Sequence, residues 1–344
     1  MPIRRIAYFP SKSKVMSEFY NKSVFKNTSP SSAIKQVLLP RLQILMASYN
    51  SAKYIEEQLL SILVQQGVSF KIIISDDCST DNTLEVIAKV RQNYPDAIEL
   101  YTASVNLGIL GNFNKLMHYA RADYIMFADA DDVWLSHKIT HTLSKMKELE
   151  KQHGSSLPLL VYTDLAVVDR QLQTIDPSFW HYSHLKPRKH TTFNRQMRQN
   201  VITGCTMLIN RSLLELSKPL PAGIIMHDWW IGLVALAFGK ITFLEQSTLL
   251  YRQHGKNGVG AHQYSLSGYF KYLRNPPYKT NNTFTQIAVF FEKFHNKLSK
   301  EQSESINAYL KIAKSNICYR LYLITKYGFY KHGWLRNIKS IISP

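Results

Sequence analysis

The sequence predicts an α/β protein: a mostly parallel sheet flanked by helices, followed by a helical, basic C-terminal region. Three observations carry this. Short apolar runs alternate with amphipathic stretches between Leu42 and Lys151, the pattern of strand–helix units in a largely parallel sheet. Two of those runs end in acidic clusters, Asp76-Asp77 and Asp129-Ala130-Asp131-Asp132. The charge is partitioned as well. Residues 1–40 carry seven Lys/Arg against one Glu and residues 265–344 carry thirteen against three, so the middle is near neutral although the chain as a whole is +18.

Taken in order, Leu42–Ser48 reads as a buried strand and Tyr54–Gln66 as a helix with Ile55, Leu59, Ile62 and Leu63 on one stripe. Phe70–Ser75 is the second strand. Ser79-Thr80-Asp81 supplies capping chemistry for a helix that turns Leu84, Ile87 and Ala88 inward. Ile98–Thr102 is a third strand, Asn112–Arg121 a helix, Tyr124–Ala128 a fourth strand, and Ser136–Lys151 a helix that buries Ile139, Leu143 and Met146. Beyond Gly154 the rhythm changes. Leu159–Val168 and Thr203–Asn210 read as strands, 170–200 as a basic loop, Asp228–Phe238 as a helix, and Ile241–Leu250 as a strand pair or one long strand. From Tyr264 onward the chain reads as helical and basic. The expected organisation is an extension over 1–40, an α/β domain over 41–262 and a helical region over 263–344.

Composition bounds the function. At 344 residues and 45% apolar content the chain can build a sizeable core. Cys78, Cys205 and Cys318 match no zinc or redox spacing, which points to a reducing cytosol. No apolar run reaches the ~18 residues of a membrane span, and no continuous apolar segment near the N-terminus suggests a secretory signal. Dinucleotide, P-loop, serine-hydrolase and zinc-protease motifs are absent.

The acidic clusters carry the most chemistry. In an open α/β sheet, ligands bind at the carboxyl ends of the strands. Two acidic tips there repel each other unless a cation or a donor-rich ligand compensates them. Mg2+ or Mn2+ carrying a phosphorylated substrate fits this need, since these hard cations take oxygen ligands. Strand periodicity allows Asp129 and Asp131 to face one ion, with Asp132 turned to a helix N-terminus; an acidic helix cap is the plainer alternative. Asp76 or Asp77 can accept from a base or a ribose hydroxyl, whereas Thr80 and Asp81 read as capping residues. Ala47-Ser48-Tyr49-Asn50 suits a nucleotide loop but also makes an ordinary turn. Asp228, in His227-Asp228-Trp229-Trp230, is either a base beside a sugar platform or a helix-start acid. Tyr251 to Gly260, with Arg252, His254 and Lys256, reads as a loop able to wrap a diphosphate, or as an exposed basic loop.

Together these segments resemble family-2 glycosyltransferases with the GT-A, Rossmann-like fold. The matching pieces are ILMASYNSAKYIEEQLLSIL, IIISDDCSTDNT, NLGILGNFN and YIMFADADDVW. The later pieces GCTMLINR, HDWWIGLVALAFGKI and LYRQHGKNGVG resemble the bacterial rhamnosyltransferase-like branch. The resemblance covers residues 41–262. It implies that Ala47, Ser48, Tyr49, Asp76 and Asp77 line the nucleotide pocket, and that Asp131, partnered by Asp129, binds Mg2+ or Mn2+. It also implies that Asp228 is the catalytic base and that Arg252 and His254 cover the diphosphate. Ala130 departs from the longer polar residue common in that branch.

The implied activity is inverting transfer from a dTDP- or UDP-linked sugar, rhamnose among the candidates, to a cell-surface glycan or lipid-linked acceptor. Such an enzyme is expected in the cytoplasm, at the inner face of the membrane. Two other classes compete. A nucleic-acid-binding protein would suit the pI of about 9.6 and the twenty tyrosines, but the near-neutral middle argues against nucleic acid. A nucleotidyltransferase shares the metal logic and differs in releasing pyrophosphate. The mixture of basic, aromatic and aliphatic residues over Ile317–Ile342 suits an anionic membrane surface, or equally a packed helix with a solvated basic face.

Overall fold

The computed structural model describes residues 41–189, 192–254 and 281–342. The extension 1–40 and the glycine-bearing loop 255–260 lie outside the described residues.

Strands β1 (Leu42–Ser48), β2 (Phe70–Asp76), β3 (Ile98–Thr102) and β4 (Tyr124–Asp129) form the parallel half of one sheet, in the order β3-β2-β1-β4. They are apolar on both faces. Leu42, Ile44, Met46, Ile72, Ile74 and Met126 enter one core, whereas the alternate residues Leu45, Ile73, Ile125 and Phe127 enter the other. Truncating one of them, Leu45→Ala for example, removes buried surface and leaves a cavity, at about 2–5 kcal/mol.

The second half is mixed. β8 (Leu208–Asn210) runs antiparallel to β4 and to β6 (Leu159–Val168). β6 pairs in parallel with β9 (Lys240–Arg252), which pairs antiparallel with the two-residue β5 (Val133–Trp134). The short β7 (Thr174–Asp176) lies on β6. The last sheet segment is thus one long, irregular strand, not a pair, and its register shifts beside Asp164.

Helices α1 (Ile55–Leu63), α2 (Thr83–Asn93), α3 (Gly108–Tyr119) and α4 (Lys138–His153) follow β1, β2, β3 and β5. Asp81 opens α2 by accepting from the Thr83 N–H at 3.0 Å and from its hydroxyl. α3 starts four residues before the sequence suggests, because the Asp77 carboxylate takes the N–H groups of Leu107 and Gly108. The stretch 170–200, expected as loop, contains α5 (Phe179–Tyr182), a 3-10 turn over Pro187–Lys189 and α6 (Phe193–Arg198). Thr203–Asn210 is not one strand: Gly204–Thr206 is a 3-10 turn and only Leu208–Asn210 is β8. α7 (Arg211–Ser217) and α8 (His227–Phe238) complete the middle of the chain.

The C-terminal helices are α9 (Asn281–Phe294), α10 (Lys300–Ile312), α11 (Ile317–Tyr327) and α12 (Trp334–Ile342). α10 opens with a reciprocal capping box between Ser299 and Gln302. Ile287, Phe290, Tyr309 and Ile324 join Phe127 and Trp230 in one continuous core, which fixes these helices to the sheet.

Candidate active site

β1 is flanked by β2 on one side and β4 on the other, so the chain direction around the sheet reverses there. This is the switch point where a crevice opens beyond the strand ends. Register puts Ser48 opposite Asp76 and Ala47 opposite Asp129. The two acidic clusters therefore occupy one edge of the sheet.

Asp76 is buried. Its carboxylate accepts from Ser48 Oγ at 3.0 Å, Ser79 Oγ at 2.6 Å and the Ser79 N–H at 2.9 Å. Asp77 is buried beside it, and its oxygens accept from Leu107 N at 2.7 Å and Gly108 N at 2.8 Å. Both acids hold the crevice wall together. Tyr49 stands exposed on the rim, on a turn in which Asn50 takes a positive φ of 48° and accepts from the Thr80 N–H.

Across the crevice the second cluster is crowded with acid. Burial, then the charges of Asp131 and Asp228, pushes the Asp129 carboxyl up to about 7. Asp228 lies in the first turn of α8, close enough for its charge to act on Asp129; burial pushes its carboxyl, too, up to about 7. Its oxygens accept from Asn200 Nδ2 at 3.1 Å and from the Gly204 N–H at 3.0 Å. Asp132 does not meet a helix N-terminus as the sequence suggests. It is wholly buried, accepts from the Arg252 N–H at 3.3 Å and leaves Oδ2 without a partner. Burial, followed by the Asp131 and Asp129 charges, holds it well above the usual carboxylate range.

Beneath these acids lie Cys205, whose thiol is pushed up by burial, and Lys138, pulled down to about 8 by burial. Donor atoms of Asp129, Asp132 and Cys205 lie within 4.8 Å of one another. The excess of buried carboxylate and the orphaned Asp132 oxygen fit a cation here. Carboxylate oxygens match Mg2+ or Mn2+; the thiol does not.

Arg252 and His254 close this side, at the end of β9 and just beyond it. The Arg252 guanidinium is buried: it pairs with Glu57 at 2.5 Å, donates to the carbonyls of Asp131 at 2.9 Å and Arg170 at 3.0 Å, and lies over the Tyr54 ring. It is built into the wall, where the sequence suggested a loop. The His254 ring stacks on Tyr54 and brings Nε2 to 2.7 Å from Asp131 Oδ2. Tyr54, Glu57, Asn200, Gly204 and Cys205 were given no role in the site at the sequence level, since none belongs to an acidic cluster.

A family model described as "Glycosyl transferase family 2" matches residues 43–216. The dTDP-rhamnosyl transferase RfbG of Shigella flexneri is 31% identical over 271 residues, which span 74% of this chain and 88% of that one. The chain belongs to glycosyl transferase family 2. Another relative, the Escherichia coli glucosyltransferase WfgD, whose full name is UDP-Glc:alpha-D-GlcNAc-diphosphoundecaprenol beta-1,3-glucosyltransferase, is 32% identical over 174 residues, covering 51% of this chain and 62% of the relative. Among solved structures, residues 1-349 of S. aureus TarS in complex with UDP-GlcNAc are similar with a TM-score of 0.52 at 15% identity, over 88% of this chain and 81% of that TarS fragment. That likeness concerns the fold alone, and the fold of this family-2 enzyme is GT-A. The protein is a glycosyltransferase.

Proposed function

We propose that this glycosyltransferase moves a sugar, with inversion, from a nucleoside-diphosphate donor to a hydroxyl of a growing lipid-linked surface glycan. The names of RfbG and WfgD support dTDP-rhamnose as the donor and a diphosphoundecaprenol-linked glycan as the acceptor. The observation that carries the reading is that Asp129, Asp131 and Asp228 share one acidic volume at the carboxyl end of β4.

In this reading Ser48, Tyr49, Asp76 and Asp77 form the nucleotide side, with Ala47 beneath them. Asp129 and Asp131 are the residues that would hold Mg2+ or Mn2+, which supplies Lewis-acid neutralisation of the diphosphate. Asp228 takes the proton of the acceptor hydroxyl as that oxygen bonds to the anomeric carbon. The bond from that carbon to the diphosphate breaks on the opposite face, and the nucleoside diphosphate leaves. Arg252 fixes the Asp131 backbone, and His254 orients the Asp131 carboxylate.

The test is turnover with dTDP-rhamnose or UDP-sugars. Asp228→Ala should nearly abolish transfer while nucleoside-diphosphate binding, read by thermal shift, survives. Undiminished transfer would remove Asp228 from its role.

A further inference from the structure

The last two helices leave large apolar residues uncovered. α12 meets the protein with Ser340, its one fully buried residue among those described, while Trp334, Ile338 and Ile342 stand 68%, 45% and 65% exposed. Spaced four residues apart, these three form a single stripe along the helix. α11 buries Arg320 with Leu323 and Ile324, and exposes Ile317, Leu321 and Tyr322. An ordinary surface helix turns its whole apolar stripe to the core. The orientation of these two is pinned by hydrogen bonds. Arg198 Nη2 donates to the Ser340 carbonyl at 2.9 Å, and the buried Arg320 guanidinium donates to the carbonyls of Ile341, Ile342 and Ser315.

The charge of this end of the chain is of one sign. No Asp or Glu occurs after Glu304, whereas Lys311 to Lys339 include seven Lys/Arg. The segment on which α11 and α12 rest is also free of acid, from Asp176 to Glu215. Its ties to the helices run through Arg336 to the Ser183 carbonyl, Asn194 to the Tyr327 carbonyl and Gln199 to the His332 N–H. Cations crowd there: burial, then Arg198, Lys339 and Arg336, pulls Lys331 down to about 7.

We propose that α11 and α12 are a docking face for an anionic lipid bilayer, with Trp334, Ile338 and Ile342 entering the boundary between headgroups and acyl chains. Two needs select this occupant: the stripe requires an apolar cover, and the acid-free surroundings require negative charge. A second copy of the chain would meet the first need, but it would press two acid-free surfaces together. Anionic lipid meets both. α12 has nine residues, too few to span a bilayer, and lies in the plane of the interface. Arg198, which holds α12, is two residues from Asn200, which holds Asp228. Neither α11 nor α12 takes part in the proposed transfer reaction, so the docking face stands or fails apart from it.

The experiment is flotation of the full-length protein with phosphatidylglycerol-containing vesicles against pure phosphatidylcholine. Of the five tryptophans, Trp134, Trp180, Trp229 and Trp230 are buried, so a blue shift of emission reports Trp334. Expected results are binding to the anionic vesicles alone, release as the screening length falls from about 10 Å to about 3 Å at high salt, and a blue shift that W334F abolishes. W334S/I338S/I342S, changed only at exposed positions, should reduce the bound fraction about tenfold or more. The exposed-site variant K311E/K314E/K326E should lose the preference for anionic lipid. Protein that stays unbound at low salt overturns the proposal, as does an apolar triple variant that binds undiminished. A lipid-free dimer broken by that triple variant also overturns it, since a second copy then covers the stripe.

Discussion

Asn200 Nδ2 donates to Asp228 Oδ1 at 3.1 Å, and the amide's orientation is fixed from behind. Its own Oδ1 accepts from Gln196 Nε2 at 2.9 Å and from the Ile202 N–H at 3.1 Å. The nitrogen therefore has to face the carboxylate, where it also reaches the Ile202 carbonyl at 2.8 Å. Burial pushes Asp228 up to about 7, while its hydrogen bonds from Trp229, Gly204 and Asn200 act in the opposite direction. A general base works best when its pKa lies near the working pH, and the upward shift suits the role proposed for Asp228.

Asn200→Ala is expected to move the acid limb of kcat/KM to higher pH. Removing a donor to the charged form favours the protonated acid, so less base is present at neutral pH. A hydrogen bond to a charged group contributes about 1.5–3 kcal/mol, and one pKa unit corresponds to about 1.4 kcal/mol. The limb should therefore shift by about one to two units, with activity recovering in alkaline buffer. An unshifted profile of lower amplitude would show that Asn200 acts on something other than Asp228.

Two donor sets compete for the cation, and substitution separates them. Asp131→Asn removes a carboxylate that faces His254, whereas Cys205→Ala removes only the deeper thiol. Binding of Mn2+ in the presence of a nucleoside diphosphate, measured by titration calorimetry, should weaken about 10–100-fold or more in Asp131→Asn. In Cys205→Ala it should be unchanged, because burial keeps the thiol protonated. Loss of Mn2+ binding in Cys205→Ala would move the ion to the inner set of Asp129, Asp132 and Cys205.

Gly204 permits the approach of α8 to the 3-10 turn. A Cβ built there would lie 2.7 Å from His227 Nε2 and 3.6 Å from Asp228 Cβ. The His227 ring cannot retreat, since it packs 3.9 Å from the Phe113 ring and beside Phe127. Gly204→Ala should therefore destabilise the protein by about 1–3 kcal/mol in urea denaturation. kcat should fall more than KM rises, because the Gly204 N–H to Asp228 is displaced. A fully stable, fully active variant would show that the turn relaxes freely.

How much of this was legible in the sequence depends on how local each cause is. Strands β1, β2 and β4 were readable because their residues are apolar on both faces, and β2 and β4 also end at acids. The start of α3 was not, because its cap is Asp77, far back in the chain just after β2. The 3-10 turn at Gly204 was misread as strand for the same reason: its N–H is taken by Asp228, from a later helix. In the crevice, charge is visible in sequence but partnership is not. Nothing in Arg252 alone shows that Glu57 of α1 meets it, or that Tyr54 carries both Arg252 and His254.

Asp164 gives a pH test of stability away from the crevice. It sits in β6 at the register shift, buried, and accepts from Ser178 Oγ and from the N–H groups of Leu165 and Trp180. Burial outweighs those donors and raises the carboxyl from 3.8 to about 6. The native state therefore binds this proton more tightly than the unfolded chain does. Between about pH 4 and pH 6 the folded protein keeps a proton that the unfolded chain has released, so this group's contribution to stability falls as pH rises and is constant above that window. The loss is up to about 3 kcal/mol. Asp164→Asn keeps a neutral side chain at every pH, so its urea midpoint should fall less than that of the unsubstituted protein between pH 4.5 and pH 7. Parallel midpoint curves for the two proteins would show that Asp164 is charged in the fold throughout, and that Ser178 and the two N–H groups outweigh its burial.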